Sequence, residues 1–140
     1  MSVASTHSTQ VRQAARGRIL VVEDTRDTRA LLKAVFEAEG YEVLEAADGI
    51  EAVEVALAEF PDAIIMDMSL PRLDGHTAVK LIRREPALRS TPVIACTAHN
   101  QWEWRGKSIV AGCDAFITKP IDFAQLRSVL AQLLARRRAS

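Results

Sequence analysis

The 140-residue chain carries 18 basic and 18 acidic residues, so its formal net charge is zero and no global field draws it to nucleic acid or anionic membrane. With 49% hydrophobic and 26% charged residues it has ordinary globular composition, and its length fits one domain able to bury about two thirds of its unfolded surface. No stretch approaches the roughly 20 apolar residues of a membrane span.

Residues 1–16 are Ser, Thr, Gln and Ala with scattered Arg, lacking the apolar core of a signal peptide. They read as a disordered tail ahead of a single domain over residues 17–135. Ile19-Leu20-Val21-Val22 is a short apolar run closed by Glu23-Asp24. Leu31, Leu32, Val35 and Phe36 follow at helical spacing, with Gly40 where a left-handed cap ends a helix. Ile50, Val53 and Leu57 form a second helical stripe, begun by Asp48 with Glu51 three residues on in a capping-box pattern. Ala63-Ile64-Ile65-Met66 leads to Asp67, and a third stripe, Ala78, Leu81 and Ile82, is entered through Asp74-Gly75 and stops near Pro86. Val93-Ile94-Ala95-Cys96 leads to Thr97; a weaker fourth helix over residues 101–111 is closed by Gly112. Ala115-Phe116-Ile117-Thr118 leads to Lys119-Pro120, after which Asp122 caps a fifth helix with the stripe Phe123, Leu126, Val129, Leu130, Leu133 and Leu134. Residues 136–140 form a basic tail whose Arg136, Arg137 and Arg138 suit the carbonyl pole of that helix. Cys96 and Cys113 are too few and too embedded for a disulfide framework and read as reduced thiols of a cytoplasmic protein.

Strands apolar throughout suit a parallel sheet covered on both faces. Alternation with helices gives an α/β sandwich with right-handed crossovers. If the runs ending in Glu23-Asp24 and Asp67 are neighbours, three carboxyl groups converge at one sheet edge. Such crowding costs roughly 4 kcal/mol per pair at an effective dielectric near 20, and a divalent cation is the natural neutraliser. Acids, the Thr97 hydroxyl and the Lys119 ammonium together make a place for a metal and a phosphoryl group. Neither a phosphate-cradling Gly-rich loop nor a dinucleotide fingerprint is present.

Glu23-Asp24, Asp67, Pro71-Arg72-Leu73-Asp74-Gly75, Thr97-Ala98 and Lys119-Pro120, in this order after hydrophobic runs, resemble the receiver domain of bacterial two-component response regulators. The resemblance covers about residues 18–134. It implies a doubly wound (βα)5 flavodoxin-like fold with parallel strands in the order 2-1-3-4-5, whose ligands sit beyond the strand ends at the switch between strands one and three. It also implies Asp67 as phosphoacceptor and Mg2+ bound by Asp24, Asp67 and the Ser69 backbone carbonyl, with Glu23 acting largely through water. Lys119 and Thr97 then meet the phosphoryl oxygens, Phe116 takes the place of the switch aromatic, and the Lys119-Pro120 bond is cis. The implied function is that of a stand-alone response regulator, taking a phosphoryl group from a sensor histidine kinase or a His-containing phosphotransfer protein and signalling through a protein target or a homodimer. Self-phosphorylation and self-dephosphorylation would be its only catalysis. The alternative is a phosphorylation-independent adapter that retains the fold.

Several residues stand outside that core. Ser69 and His99 lie where receiver domains vary, on the path of an attacking water. Trp102 and Trp104, two apart, cannot share one helical side, so one is expected at an interaction surface. Donor choice is expected on the first helix around Arg26, Asp27 and Arg29. An aspartate-nucleophile phosphatase usually carries a second Asp where this chain has Ser69, and no helix-turn-helix segment supports DNA binding.

Overall fold

The computed structural model describes residues 16–98 and 112–139. In chain order these form β1 (Arg18–Val22), α1 (Arg26–Ala38), β2 (Glu42–Ala46), α2 (Gly49–Glu59), β3 (Ala63–Asp67) and α3 (Gly75–Arg83). A 3-10 turn (Pro86–Leu88), β4 (Val93–Thr97), β5 (Ala115–Thr118) and α4 (Phe123–Ala139) follow. The predicted fourth helix, with Trp102 and Trp104, and His99 lie outside the described residues.

All strand pairs are parallel, in the order β2-β1-β3-β4-β5. β3 and β4 are buried at every position, which is why their sequences show no polar alternation. Alternate residues still serve different faces. Ile19, Val21 and Ile65 join Leu32 and Phe36 of α1 and Leu126 and Leu130 of α4 on one side. Leu20, Val22, Ile64 and Met66 meet Ala52, Ala56, Ala78, Val79 and Ile82 of α2 and α3 on the other. A fully buried Phe36 or Leu32 contributes about 1.5–3 kcal/mol.

Local signals place the helix ends. Asp48, Asp74 and Asp122 each accept an amide three residues on, from Glu51 (2.8 Å), Thr77 (2.9 Å) and Gln125 (3.1 Å). Gly40, at φ 98°, turns the chain out of α1 as predicted.

Four expectations need correction. In α2 the inward line is Gly49, Ala52 and Ala56, whereas Ile50 and Leu57 are 40% and 42% exposed. The helix lies so close to the chain beneath it that a Cβ at Gly49 would run into the Leu73 carbonyl oxygen; small side chains line the closest approach, Val53 of the predicted stripe packs partly buried against the core, and Ile50 and Leu57 turn outward. Leu31 of the first stripe is likewise half exposed. Both tail boundaries also move. Arg16 sits 5.2 Å over the Tyr41 ring and donates to the Glu39 carbonyl, so it belongs to the folded unit. The last helix continues through Ala139, and Arg137 donates to the Asp62 carbonyl at 2.6 Å, which makes the basic run part of the domain.

Candidate functional site

Register brings the site together. Val22 pairs with Met66, so the next residues, Glu23 and Asp67, emerge side by side. Asp67 pairs with Cys96, one residue before Thr97, and Thr97 pairs with Thr118, one residue before Lys119. Neighbouring strands are about 4.8 Å apart, so one rim of the sheet carries the predicted acids, hydroxyl and ammonium, while Phe116 lies within β5 opposite Ala95.

Ligand oxygens of Glu23, Asp24 and Asp67 lie within 4.8 Å of one another. Glu23 and Asp67 are buried and Asp24 is exposed. The Lys119 ammonium reaches Asp67 Oδ2 at 3.2 Å and Glu23 Oε1 at 3.6 Å. Asp67 Oδ1 accepts the Ser69 amide at 2.9 Å, and Glu23 Oε2 accepts the Thr25 amide at 3.0 Å. Thr97 is buried at the end of β4, where its carbonyl accepts the Lys119 amide at 2.8 Å. The Lys119-Pro120 bond is cis. Phe116 is half-buried against the α2–α3 side of the core.

Burial holds the Glu23 carboxyl above its ordinary range, partly offset by the Thr25 amide and reinforced by the Asp67 charge. Burial pulls on Lys119 in the opposite sense, but the Asp67 and Glu23 carboxylates outweigh it and its ammonium is held above the usual value. Two of the three clustered acids thus share one ammonium. The cluster's donors are all oxygen, two of the three acids are buried, and the acids outnumber the one ammonium beside them. That donor set fits a hard divalent cation that keeps part of its water, as Mg2+ does. The thiols do not compete: burial pushes Cys96 and Cys113 up to about 12, so neither is a thiolate at neutral pH.

An opening of about 340 Å3 leads to this rim, lined by Glu23, Thr28, Leu31, Lys119, Ile121 and Phe123 among others. Arg29, one of the three residues at which donor choice is expected, is partly buried. Its guanidinium donates to the Glu23 carbonyl at 2.8 Å and lies 3.4 Å from Glu45, tying the helix start to the loop that presents the acids. Its spacing from the Glu23-Asp24 pair gave no helical signal for this, because the contact crosses the helix start. Arg26 and Asp27 are exposed, as expected.

The match to the response regulator receiver domain family model spans residues 19–131. The chain belongs to that family. Response regulator PleD of Caulobacter vibrioides is 39% identical over 116 residues, 80% of this chain but 26% of PleD. The polar-differentiation response regulator DivK of Brucella ovis is 36% identical over 104 residues, 74% of this chain and 85% of DivK. The chain therefore spans about a quarter of one relative and most of another. Among solved structures, the receiver domain of sensor histidine kinase PA1611 from Pseudomonas aeruginosa is 36% identical with a TM-score of 0.79, covering 85% of this chain and 98% of that one; magnesium is coordinated in its active site cleft. The receiver fold is thus shared with both regulators and a kinase. Among the described residues no helix is long and apolar enough to cross a membrane.

Proposed function

We propose that Asp67 accepts a phosphoryl group from a phosphohistidine of a sensor kinase or phosphotransfer protein, making this chain a magnesium-dependent switch of a two-component relay. The observation that carries this reading is Lys119 Nζ, 3.2 Å from Asp67 Oδ2 inside a triad of acids. A carboxylate oxygen attacks phosphorus, forming an O–P bond as the N–P bond to the donor imidazole breaks and its electron pair returns to nitrogen. Phosphoryl transfer asks the protein mainly for position and neutralisation. The Ser69 amide and Lys119 fix the two oxygens of Asp67, and the opening beside Lys119 and Phe123 admits the donor. Magnesium, held by Asp24, Asp67, the Ser69 carbonyl and, through water, Glu23, would supply charge neutralisation on the phosphoryl oxygens. Lys119 takes one of those oxygens and the Thr97 hydroxyl donates to another.

The modification replaces one carboxylate charge by roughly two and adds acceptor oxygens. Thr97, drawn toward them, vacates space into which Phe116 can turn by packing alone, since it has no hydroxyl. Inverting a 1:99 population takes about 5.5 kcal/mol, more than one charge-assisted bond supplies, so the switch is graded and completed by a protein partner or a second copy. Output is therefore protein–protein contact. Incubation with magnesium and acetyl phosphate tests the acceptor step by intact mass: one added phosphoryl group, absent in Asp67→Asn, is expected. Wild-type protein that gains none, or an Asp67→Asn variant that still gains one, overturns it.

A further inference from the structure

The strap joining β3 to α3 holds a feature that the acceptor chemistry leaves unexplained. The Leu73 amide donates to the Pro71 carbonyl at 2.7 Å across Arg72, whose φ is 65°. A three-residue turn with positive φ is rare and strained, and a side chain other than glycine there persists only when surrounding contacts over-determine it. Those contacts are present. Arg72 Nη2 lies 2.8 Å from Asp48 Oδ2, while Asp48 Oδ1 accepts the Glu51 amide at the start of α2. The Leu73 carbonyl abuts Gly49 too closely for a Cβ, and Gly75 packs against the Asp67 carbonyl and Met68. At its near end the strap delivers the Ser69 amide to Asp67 Oδ1 at 2.9 Å. These contacts, with the chain between Ser69 and Arg72, link the first turn of α2 to the oxygen that Lys119 does not hold.

We propose that Arg72 is a positioning residue for the Asp67 site: its ion pair with Asp48 clasps the strap to α2 and so keeps the Ser69 amide on Asp67. The inference rests on the acceptor reading of Asp67, and it concerns a side chain that touches neither phosphoryl group nor metal. Its action is indirect, through the backbone.

Two readouts on the intact chain test it: amide hydrogen exchange at Ser69 in metal-free protein, and the Mg2+ dissociation constant by calorimetry. Arg72→Asn accepts the left-handed φ at low cost but cannot reach Asp48. Asp48→Ser keeps an N-cap oxygen and loses the ion pair. Both variants are expected to speed Ser69 exchange and weaken Mg2+ binding roughly three- to fivefold, between the effect of an exposed ion pair and that of an outer-shell metal partner. Arg72→Lys, which keeps the charge, recovers most of the loss. Variants indistinguishable from wild type in both readouts overturn the clasp, as does loosening by Arg72→Asn without loosening by Asp48→Ser. If wild type binds no Mg2+ while both variants still speed Ser69 exchange, the clasp stands and the acceptor reading falls.

Discussion

The two rims of the sheet treat acidic side chains in opposite ways. At the rim where the strands begin, Glu42 and Glu59 meet Arg18 at 3.5 and 2.5 Å, Asp62 meets Arg137 at 3.9 Å, and Asp114 meets Arg83 at 3.1 Å. At the rim where they end, Glu23, Asp24 and Asp67 gather within 4.8 Å around Lys119. Paired acids lock segments together. Crowded acids hold electrostatic free energy that a cation or a phosphoryl-transfer step can use, at the expense of the stability of the empty fold.

Breaking the first rim should give the largest effect. Arg83 donates to the carbonyls of Leu88, Thr91 and Gly112 as well as to Asp114, so one guanidinium ties the end of α3 to the entries of β4 and β5. Arg83→Ala leaves three carbonyls and a carboxylate without it, and a loss of about 3 kcal/mol is expected by urea unfolding. Next in size is the response of the second rim to metal. At a concentration of one hundred times its dissociation constant, Mg2+ should raise unfolding free energy by about 2.7 kcal/mol. Asp67→Asn and Glu23→Gln should shrink that gain; an equal gain in both variants would place the metal elsewhere.

Removing an acid should also change sign between the rims. Asp24→Asn relieves repulsion in the cluster and is expected to stabilise the metal-free protein by about 0.5 kcal/mol while weakening its response to Mg2+. Asp114→Asn keeps an oxygen able to accept the Val93 amide (2.8 Å) but loses the charge that pairs with Arg83, so it should destabilise by about 0.5 kcal/mol. Urea midpoints with and without Mg2+ separate the two. Destabilisation by Asp24→Asn without metal would show that the cluster carries no excess charge.

The second rim was legible because each of its residues ends an apolar run, and in a parallel sheet run ends become neighbours once strand order is known. That order came from the family resemblance, since hydrophobic periodicity alone does not rank strands. The first rim was not legible: Arg83–Asp114 and Arg137–Asp62 join residues far apart in sequence, and nothing local distinguishes them from solvated charges. The inverted packing of α2 was hidden for another reason. Gly49, Ala52 and Ala56 carry little hydrophobic signal, so Ile50 and Leu57 dominated the stripe although close approach of the backbones decides which face turns inward. The Arg72–Asp48 pair was equally silent, because a positive φ at an arginine leaves no trace in composition.

The smallest prediction concerns carboxylates of a third kind, those that cap helices beside the second rim. The Glu51 amide, and after it Arg72, hold the Asp48 carboxyl below its ordinary 3.8, and the Thr77 amide does the same for Asp74. A carboxyl whose value is lower in the folded than in the unfolded chain binds fewer protons when folded between those two values, so stability rises with pH across that window. Its contribution is complete above about 3.8 and is lost as pH falls through the lowered value. Asp74→Asn keeps an amide-accepting oxygen at the cap and removes the titration. Wild type should exceed it by about 0.3 kcal/mol near neutral pH, the scale of an exposed charge at a helix N-terminus, and the gap should close in acid. Urea midpoints taken from pH 7 to pH 2 would show that closure, and a gap that stayed constant would mean that the cap acts through its hydrogen bond alone, with no share from charge.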